Sequence, residues 1–353
     1  MKTDEKTLRA DRFLRACRGE PVDTTPIWIM RQAGRYLPEY RRTRAKAGDF
    51  LALCKTPDLA CEVTIQPVDV VGVDAAIIFS DILIPLEAMG VPLTFSDGEG
   101  PRLEPVRTAD QVAKLRVPVA DEACGFLMEA IRLTVRGLDG RVPLIGFGGA
   151  PWTMLSYAVE GKTSKAFLDS RRMLFEAPAL AHALLEKITA TTIDYLQAQV
   201  RAGARALQLF DSWAGALGPE EFRTFALPYV KRIVEALRPS GVPFIYFCNE
   251  GSTLLADAAT AGADVMGIDY RVPLDDARAT VERAAGRPVT LQGNLDPVAL
   301  FAPLPEIERR VADVLRRAGE RHVFNLGHGI QPPTPPVKAI ALVEMVHRLG
   351  RRG

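Results

Sequence analysis

Residues 143–152 read Pro143-Leu144-Ile145-Gly146-Phe147-Gly148-Gly149-Ala150-Pro151-Trp152. An apolar run without polar alternation stops abruptly at a glycine-rich turn, and a proline then opens the next segment. Lack of alternation marks a strand buried on both faces, as in a parallel sheet. The same device recurs along the chain. Residues 26–30 run into Arg31-Gln32-Ala33-Gly34-Arg35, 75–79 into Ser80-Asp81, and 206–210 into Asp211-Ser212-Trp213. Residues 243–247 precede Cys248-Asn249-Glu250, and 265–268 precede Asp269-Tyr270. Residues 289–292 precede Gly293-Asn294-Leu295-Asp296, and 322–326 precede Gly327-His328-Gly329. Between the later strands, segments 178–200, 219–237, 253–261, 273–285, 305–318 and 336–349 repeat apolar residues at helical spacing, most of them behind an opening proline. Eight strands, each followed by helix, predict an α/β chain folded as a single (β/α)8 TIM-type barrel over residues 1–353. Two stretches stand outside the repeat. Residues 1–22 predict an N-terminal helical extension, and 91–107, with alternation around a glycine-rich turn, predict an inserted hairpin. The alternative is a doubly wound open sheet, but no GxGxxG follows the first strand.

The length, 353 residues, fits one large barrel, although length alone also allows two domains. Lys plus Arg number 44 against 43 Asp plus Glu, a net charge of +1. That balance argues against a general nucleic-acid binder, which needs a strong positive field. The cations are 34 Arg against 10 Lys. Genome bias is one explanation. A substrate rich in carboxylates or phosphates is another, because the guanidinium fork binds such groups bidentately. Five scattered cysteines without a CxxC pair fit a reducing compartment. The charged N-terminus has no signal-peptide core, and no apolar run approaches the ~18 residues of a membrane helix. These features predict a soluble, cytoplasmic protein with no membrane or nucleic-acid partner.

Active sites of such barrels lie at the C-terminal ends of the strands, which are the polar clusters above. In Arg31-Gln32-Ala33-Gly34-Arg35 two guanidiniums flank a small-residue loop whose backbone N–H groups can approach a ligand; the alternative is that both pair with surface acids. Asp81 suits either a helix N-cap or a catalytic carboxylate. Residues 146–161 combine glycines with Trp152 and Tyr157, as a ligand wall and hydroxyl or as tight packing. His328, between two glycines at a strand end, suits ligand contact. No metal site is expected. Cys248 and His328 lack a third ligand, and no HxH, HxxxH or CxxC supplies one. Ser212 lacks the nucleophile-elbow pattern, and there is no P-loop.

Residues 29–41, 146–161, 209–215 and 325–329, in this order on an eight-strand pattern, are similar to the uroporphyrinogen decarboxylase family, and the similarity extends across essentially the whole chain. The resemblance implies a cofactor-independent haem-pathway carboxy-lyase, a homodimer of barrels, that turns the four acetate side chains of uroporphyrinogen III into methyl groups. It makes Arg31, Gln32, Ala33, Gly34 and Arg35 a substrate-binding loop. It makes Asp81 the carboxylate facing the pyrrole N–H groups and Phe79 its apolar neighbour, and it makes Tyr157, Ser212 and His328 contacts to substrate side chains. Trp213 stands where some relatives have histidine. Related barrels transfer methyl groups through zinc and a corrinoid partner, using a His-x-Cys pair and a later Cys. Here Tyr246-Phe247-Cys248 and His328 occupy those places, so that reading is the alternative, alongside a non-enzymatic tetrapyrrole carrier.

The chemistry agrees. Decarboxylation needs an electron sink, usually a cofactor. A pyrrole can serve instead: protonation of the ring makes a cation, loss of CO2 passes the electron pair to the ring and leaves an exocyclic methylene, and protonation of that methylene with loss of the first proton from the ring yields the methyl. Asp81 is the expected stabiliser of that cation and Arg31 the expected partner of the departing acetate. The proton donor stays open between Tyr157, His328 and a water, since a guanidinium is too weak an acid.

Overall fold

In the computed structural model, which describes residues 5–96 and 100–352, the predicted apolar runs line up side by side. A parallel sheet carries β1 (Ala76–Ile77), β4 (Leu144–Gly149), β5 (Ala206–Asp211), β6 (Phe244–Cys248), β7 (Val265–Gly267), β8 (Thr290–Leu295) and β9 (His322–Leu326) in chain order. Residues 26–30 close the ring. Phe324 N donates to Pro26 O at 2.8 Å on one side, and Asp74 N donates to Ile27 O at 2.7 Å on the other. The curled sheet and this eighth stave make the expected TIM-type barrel.

Strand ends differ from the sequence reading, for identifiable reasons. In residues 26–30 a sheet bridge forms at Ile27, opposite Phe324. The other N–H groups there go to side chains: Ile27 N to Asp74 Oδ2 (2.9 Å), Ile29 N to Gln32 Oε1 (3.0 Å) and Met30 N to Asn325 Oδ1 (2.9 Å). The run 75–79 shortens to Ala76–Ile77, in part because Phe79 N donates to Thr64 Oγ1. Gly293, Asn294 and Leu295, read as a rim cluster, belong to β8. The segment 219–237 divides into helices Pro219–Phe225 and Leu227–Leu237. Pro228 has no N–H to continue the first helix and crowds the carbonyl four residues back.

The N-terminal extension is the helix Glu5–Cys17. Its Phe13, Leu14 and Cys17 pack with Trp28, Ala75, Ile145, Ala206, Val265 and Val323 at the N-terminal ends of the strands. Each such buried apolar side chain contributes ~1.5–3 kcal/mol, so the helix plugs the barrel floor. Arg12 anchors it, pairing with Asp23 and, at 2.9 Å, with Asp74. At the opposite end, Phe147, Phe210 and Phe247 meet edge to face at centroid distances of 5.7 and 6.3 Å and form an apolar base beneath the loops. The expected insertion is the hairpin β2 (Leu93–Ser96) and β3 (Gly100–Leu103), with Leu93 opposite Leu103; its turn, 97–99, lies outside the described residues. Phe95 packs on Phe50 at 4.8 Å, and Phe50 packs on Phe79, so the hairpin braces one wall of the cleft.

Candidate active site

The chain leaves the eighth stave at Met30, whose carbonyl accepts from Ile330 N at 2.9 Å. The next residue, Arg31, has φ +65°. A non-glycine residue in this region costs ~1–3 kcal/mol and persists where its surroundings hold it. Three features hold it here. Gln32 is fully buried; its Oε1 accepts from Ile29 N and its Nε2 donates to Ala75 O at 3.1 Å. A Cβ on Gly34 would stand 2.7 Å from the Arg31 carbonyl oxygen. The Arg31 side chain runs over Gly329, where a Cβ would come within 2.8 Å of its Cγ and Nε. Gln32 is thus brought into the loop but not to its surface: its amide fastens the backbone. Ala33 and Gly34 keep part of their surface open.

Arg31 and Arg35 are exposed and, among the described residues, form no ion pair or side-chain hydrogen bond. The surface-pairing alternative therefore fails for both.

Asp81 follows β1. Its Oδ1 accepts from Leu83 N at 2.8 Å, closing a turn. It is not the cap of the next helix, Ile84–Met89, whose cap position is Leu83. The carboxyl lies deep in the protein yet opens to the cleft. Burial pushes its pKa up to about 6, against the opposing pull of the Leu83 N–H and the Arg31 charge. Phe79, buried, packs on Tyr40 at 5.6 Å and Phe50 at 5.8 Å.

Tyr157 is half-buried on the helix Pro151–Glu160. Burial first, and then the charge of Asp81, pushes its pKa up to about 12. His328, just past β9, is held below its ordinary pKa by burial and by the charges of Arg31 and Arg271, so it is neutral at neutral pH. Arg31 acts on Asp81, Tyr157 and His328 alike. These four groups, from four different strand ends, share one site. Ser212 precedes Trp213, whose ring lies 5.7 Å from that of Tyr157, and the Ser212 carbonyl accepts from Asn249 Nδ2 at 3.1 Å. Arg35 stands at the outer edge, with its charge felt at Tyr40.

Sequence reasoning passed over Asp211. It is fully buried and accepts from Thr153 Oγ1 (2.7 Å) and Tyr246 Oη (2.9 Å). Burial pushes its pKa up to about 6, which the two hydroxyls oppose. The signal was present, since Asp211 ends an apolar run as Asp81 nearly does. The donor set for zinc is poor: the Tyr246 hydroxyl is committed to Asp211, the Cys248 thiol is pushed well up by burial, and no cluster of three or more His, Cys, Asp or Glu occurs among the described residues.

A closed β/α barrel with a cationic, carboxylate-bearing cleft at its strand ends is an architecture shared by several enzyme classes. Among solved structures, a methyltransferase from Methanosarcina mazei superposes with a TM-score of 0.78 at 21% identity, covering 96% of this chain and 98% of that one; at this identity the likeness concerns the fold. The sequence comparisons narrow the class. Residues 8–349 match the uroporphyrinogen decarboxylase family. The chain is 54% identical over 342 residues to uroporphyrinogen decarboxylase of Myxococcus xanthus, covering 96% of this chain and 97% of the relative. It is 53% identical to that of Desulfotalea psychrophila, covering 96% and 98%. This chain belongs to the uroporphyrinogen decarboxylase family.

Proposed function

We propose that this protein is a carboxy-lyase that converts the four acetate side chains of uroporphyrinogen III to methyl groups, releasing CO2 and coproporphyrinogen III. The observation that carries the reading is a buried carboxylate, Asp81, within reach of the charge of Arg31, a guanidinium that, like that of Arg35, forms no ion pair among the described residues. An eight-carboxylate substrate supplies the missing partners for Arg31 and Arg35, and its pyrrole N–H groups supply donors for Asp81. Protonation of a ring carbon next to the one that bears the acetate makes a cation against Asp81. Arg31 holds the acetate that leaves as CO2, and the ring itself takes the electron pair. Tyr157 and His328 are protonated and neutral respectively at neutral pH, so they serve as hydrogen-bonding contacts to substrate carboxylates, together with Ser212. The backbone of Ala33 and Gly34 approaches the ligand, Gln32 keeps that backbone in place, and Phe79 walls one side.

In this reading the ring replaces a cofactor or metal as electron sink. Against the methyl-transfer alternative, no group of three or more His, Cys, Asp or Glu able to hold a metal occurs among the described residues. The protein works in the cytoplasm as a homodimer. Supporting this, no helix among the described residues is long and apolar enough to cross a membrane. The five cysteines are all free thiols. Val298, Phe301, Leu304 and Val337 leave exposed apolar surface just after β8 and β9. Sedimentation of the protein and of a Phe301→Glu variant tests the dimer. The activity is tested by incubating metal-free protein with anaerobically prepared uroporphyrinogen and following CO2 and the carboxylate count of the product. A product that keeps all eight carboxylates would overturn the assignment and leave the carrier reading.

A further inference from the structure

The helix that carries Tyr157 also carries the support for Trp213. Thr153 and Tyr157 are four residues apart and share a helix face. Trp213 N donates to Thr153 Oγ1 at 3.1 Å, and Trp213 O accepts the indole N–H of Trp152 at 2.9 Å. Thr153 is fixed in turn by donating to the buried Asp211. The Trp213 ring lies between Tyr157 and Phe167, at centroid distances of 5.7 and 5.0 Å. Such packing defines the indole plane closely, yet its N–H is buried and has no acceptor within hydrogen-bond geometry. A buried indole N–H usually finds a partner.

The group it faces is the Tyr157 hydroxyl, which also faces the Thr163 hydroxyl and the charge of Asp81. Indole is a donor only, whereas a phenol oxygen accepts and carries one proton. With the indole N–H on the accepting side of Tyr157, the phenol proton has to point away from Trp213. Two directions remain, the Thr163 hydroxyl and the cleft onto which Asp81 opens, and only in the second does the proton meet an anion. We propose that Trp213 is a positioning residue for the decarboxylation, directing the Tyr157 hydroxyl proton into the cleft through its indole N–H. Asp211 and Thr153 hold Trp213 at the required distance. The proposal rests on the reading of Tyr157 as a substrate contact.

A double-mutant cycle tests it. Parent, Trp213→Phe, Tyr157→Phe and the double variant are compared for kcat/KM of CO2 release from uroporphyrinogen, with Tm measured for each. Phe keeps a ring between Tyr157 and Phe167 but has no N–H. Trp213→Phe alone is expected to lower kcat/KM about tenfold, the scale of one lost hydrogen bond. In the Tyr157→Phe background the same change is expected to add less than about twofold, because groups acting as a unit are not additive. A folded Trp213→Phe with parental kcat/KM would overturn the proposal, and so would an equal loss in both backgrounds, which would mean that the indole acts on substrate directly. Should Trp213→Phe not fold, Trp213→His retains a ring N–H; it is expected to stay within about threefold of the parent, and a larger loss in folded protein overturns the proposal. If the parent itself releases no CO2, it is the functional assignment that fails.

Discussion

Replacing Asp81 by Asn probes the charge in the cleft with little change of shape. The rise of its pKa from an ordinary 3.8 to about 6 makes the ionised form ~3 kcal/mol harder to hold than in water. The burial that raises this cost also strengthens attraction to a cation placed against the carboxylate, since both scale with low local dielectric. A protonated pyrrole is such a cation, and a single preorganised electrostatic group of this kind is worth ~2.7–4 kcal/mol, or ~10²–10³ in rate. Asn keeps an oxygen for Leu83 N, so the turn survives. The expected result in single-turnover decarboxylation is a fall in rate of about 10² or more with substrate affinity largely kept. Stability should move the other way. Because the folded-state pKa is raised, the favourable contribution of Asp81 is present below its unfolded value and disappears as pH rises through about 6. The Asn variant should therefore match the parent near pH 4 and become the more stable of the two above pH 6, by up to ~3 kcal/mol. A folded Asn variant that decarboxylates at close to the parental rate would refute this role for Asp81.

Four further outcomes follow from the same geometry. Arg35→Lys should lose most of the kcat/KM that Arg35→Ala loses, because an ammonium cannot reproduce the planar fork; parity of Lys with the parent in steady-state kinetics would remove bidentate recognition there. Gly329→Ala should displace the Arg31 side chain that lies over it and lower kcat/KM by about tenfold or more while Tm changes little; unchanged kinetics would show that Arg31 acts from elsewhere. Because Asp81 acts as the anion, log kcat/KM should fall with decreasing pH below about 6, and that limb should vanish in the Asn variant. Activity should persist after dialysis against a strong chelator, and loss of activity restored by zinc would revive the methyl-transfer alternative.

What could be read in the sequence, and what could not, follows from how local each determinant is. Eight doubly buried runs are a local signal, and they were enough to announce a barrel and so to predict that the polar clusters at the strand ends, with Arg31, Asp81 and His328 among them, converge; Tyr157 was placed in the site only by the family resemblance. Strand ends were less legible because a strand stops where its N–H groups find other acceptors, and those acceptors are distant: Asn325 for Met30 and Thr64 for Phe79. The same locality divides the site. Arg31 and Arg35 stood out as charges directly off a buried strand, and neither forms an ion pair among the described residues. Gln32 read as a ligand contact because a loop amide looks available. Only the fold brings the Ala75 carbonyl to its Nε2 and turns the residue from contact to clamp. Asp211 went unread for the converse reason: its partners, Thr153 and Tyr246, are 58 and 35 residues away, and without them it looks like one more polar residue at the end of a strand. The groups that meet substrate are therefore visible as chemistry at strand ends. The groups that hold the site together, Gln32, Asn325 and Asp211, become visible only as hydrogen bonds between segments remote in sequence, so substitutions at these positions are where sequence reasoning about this cleft is expected to underestimate the effect.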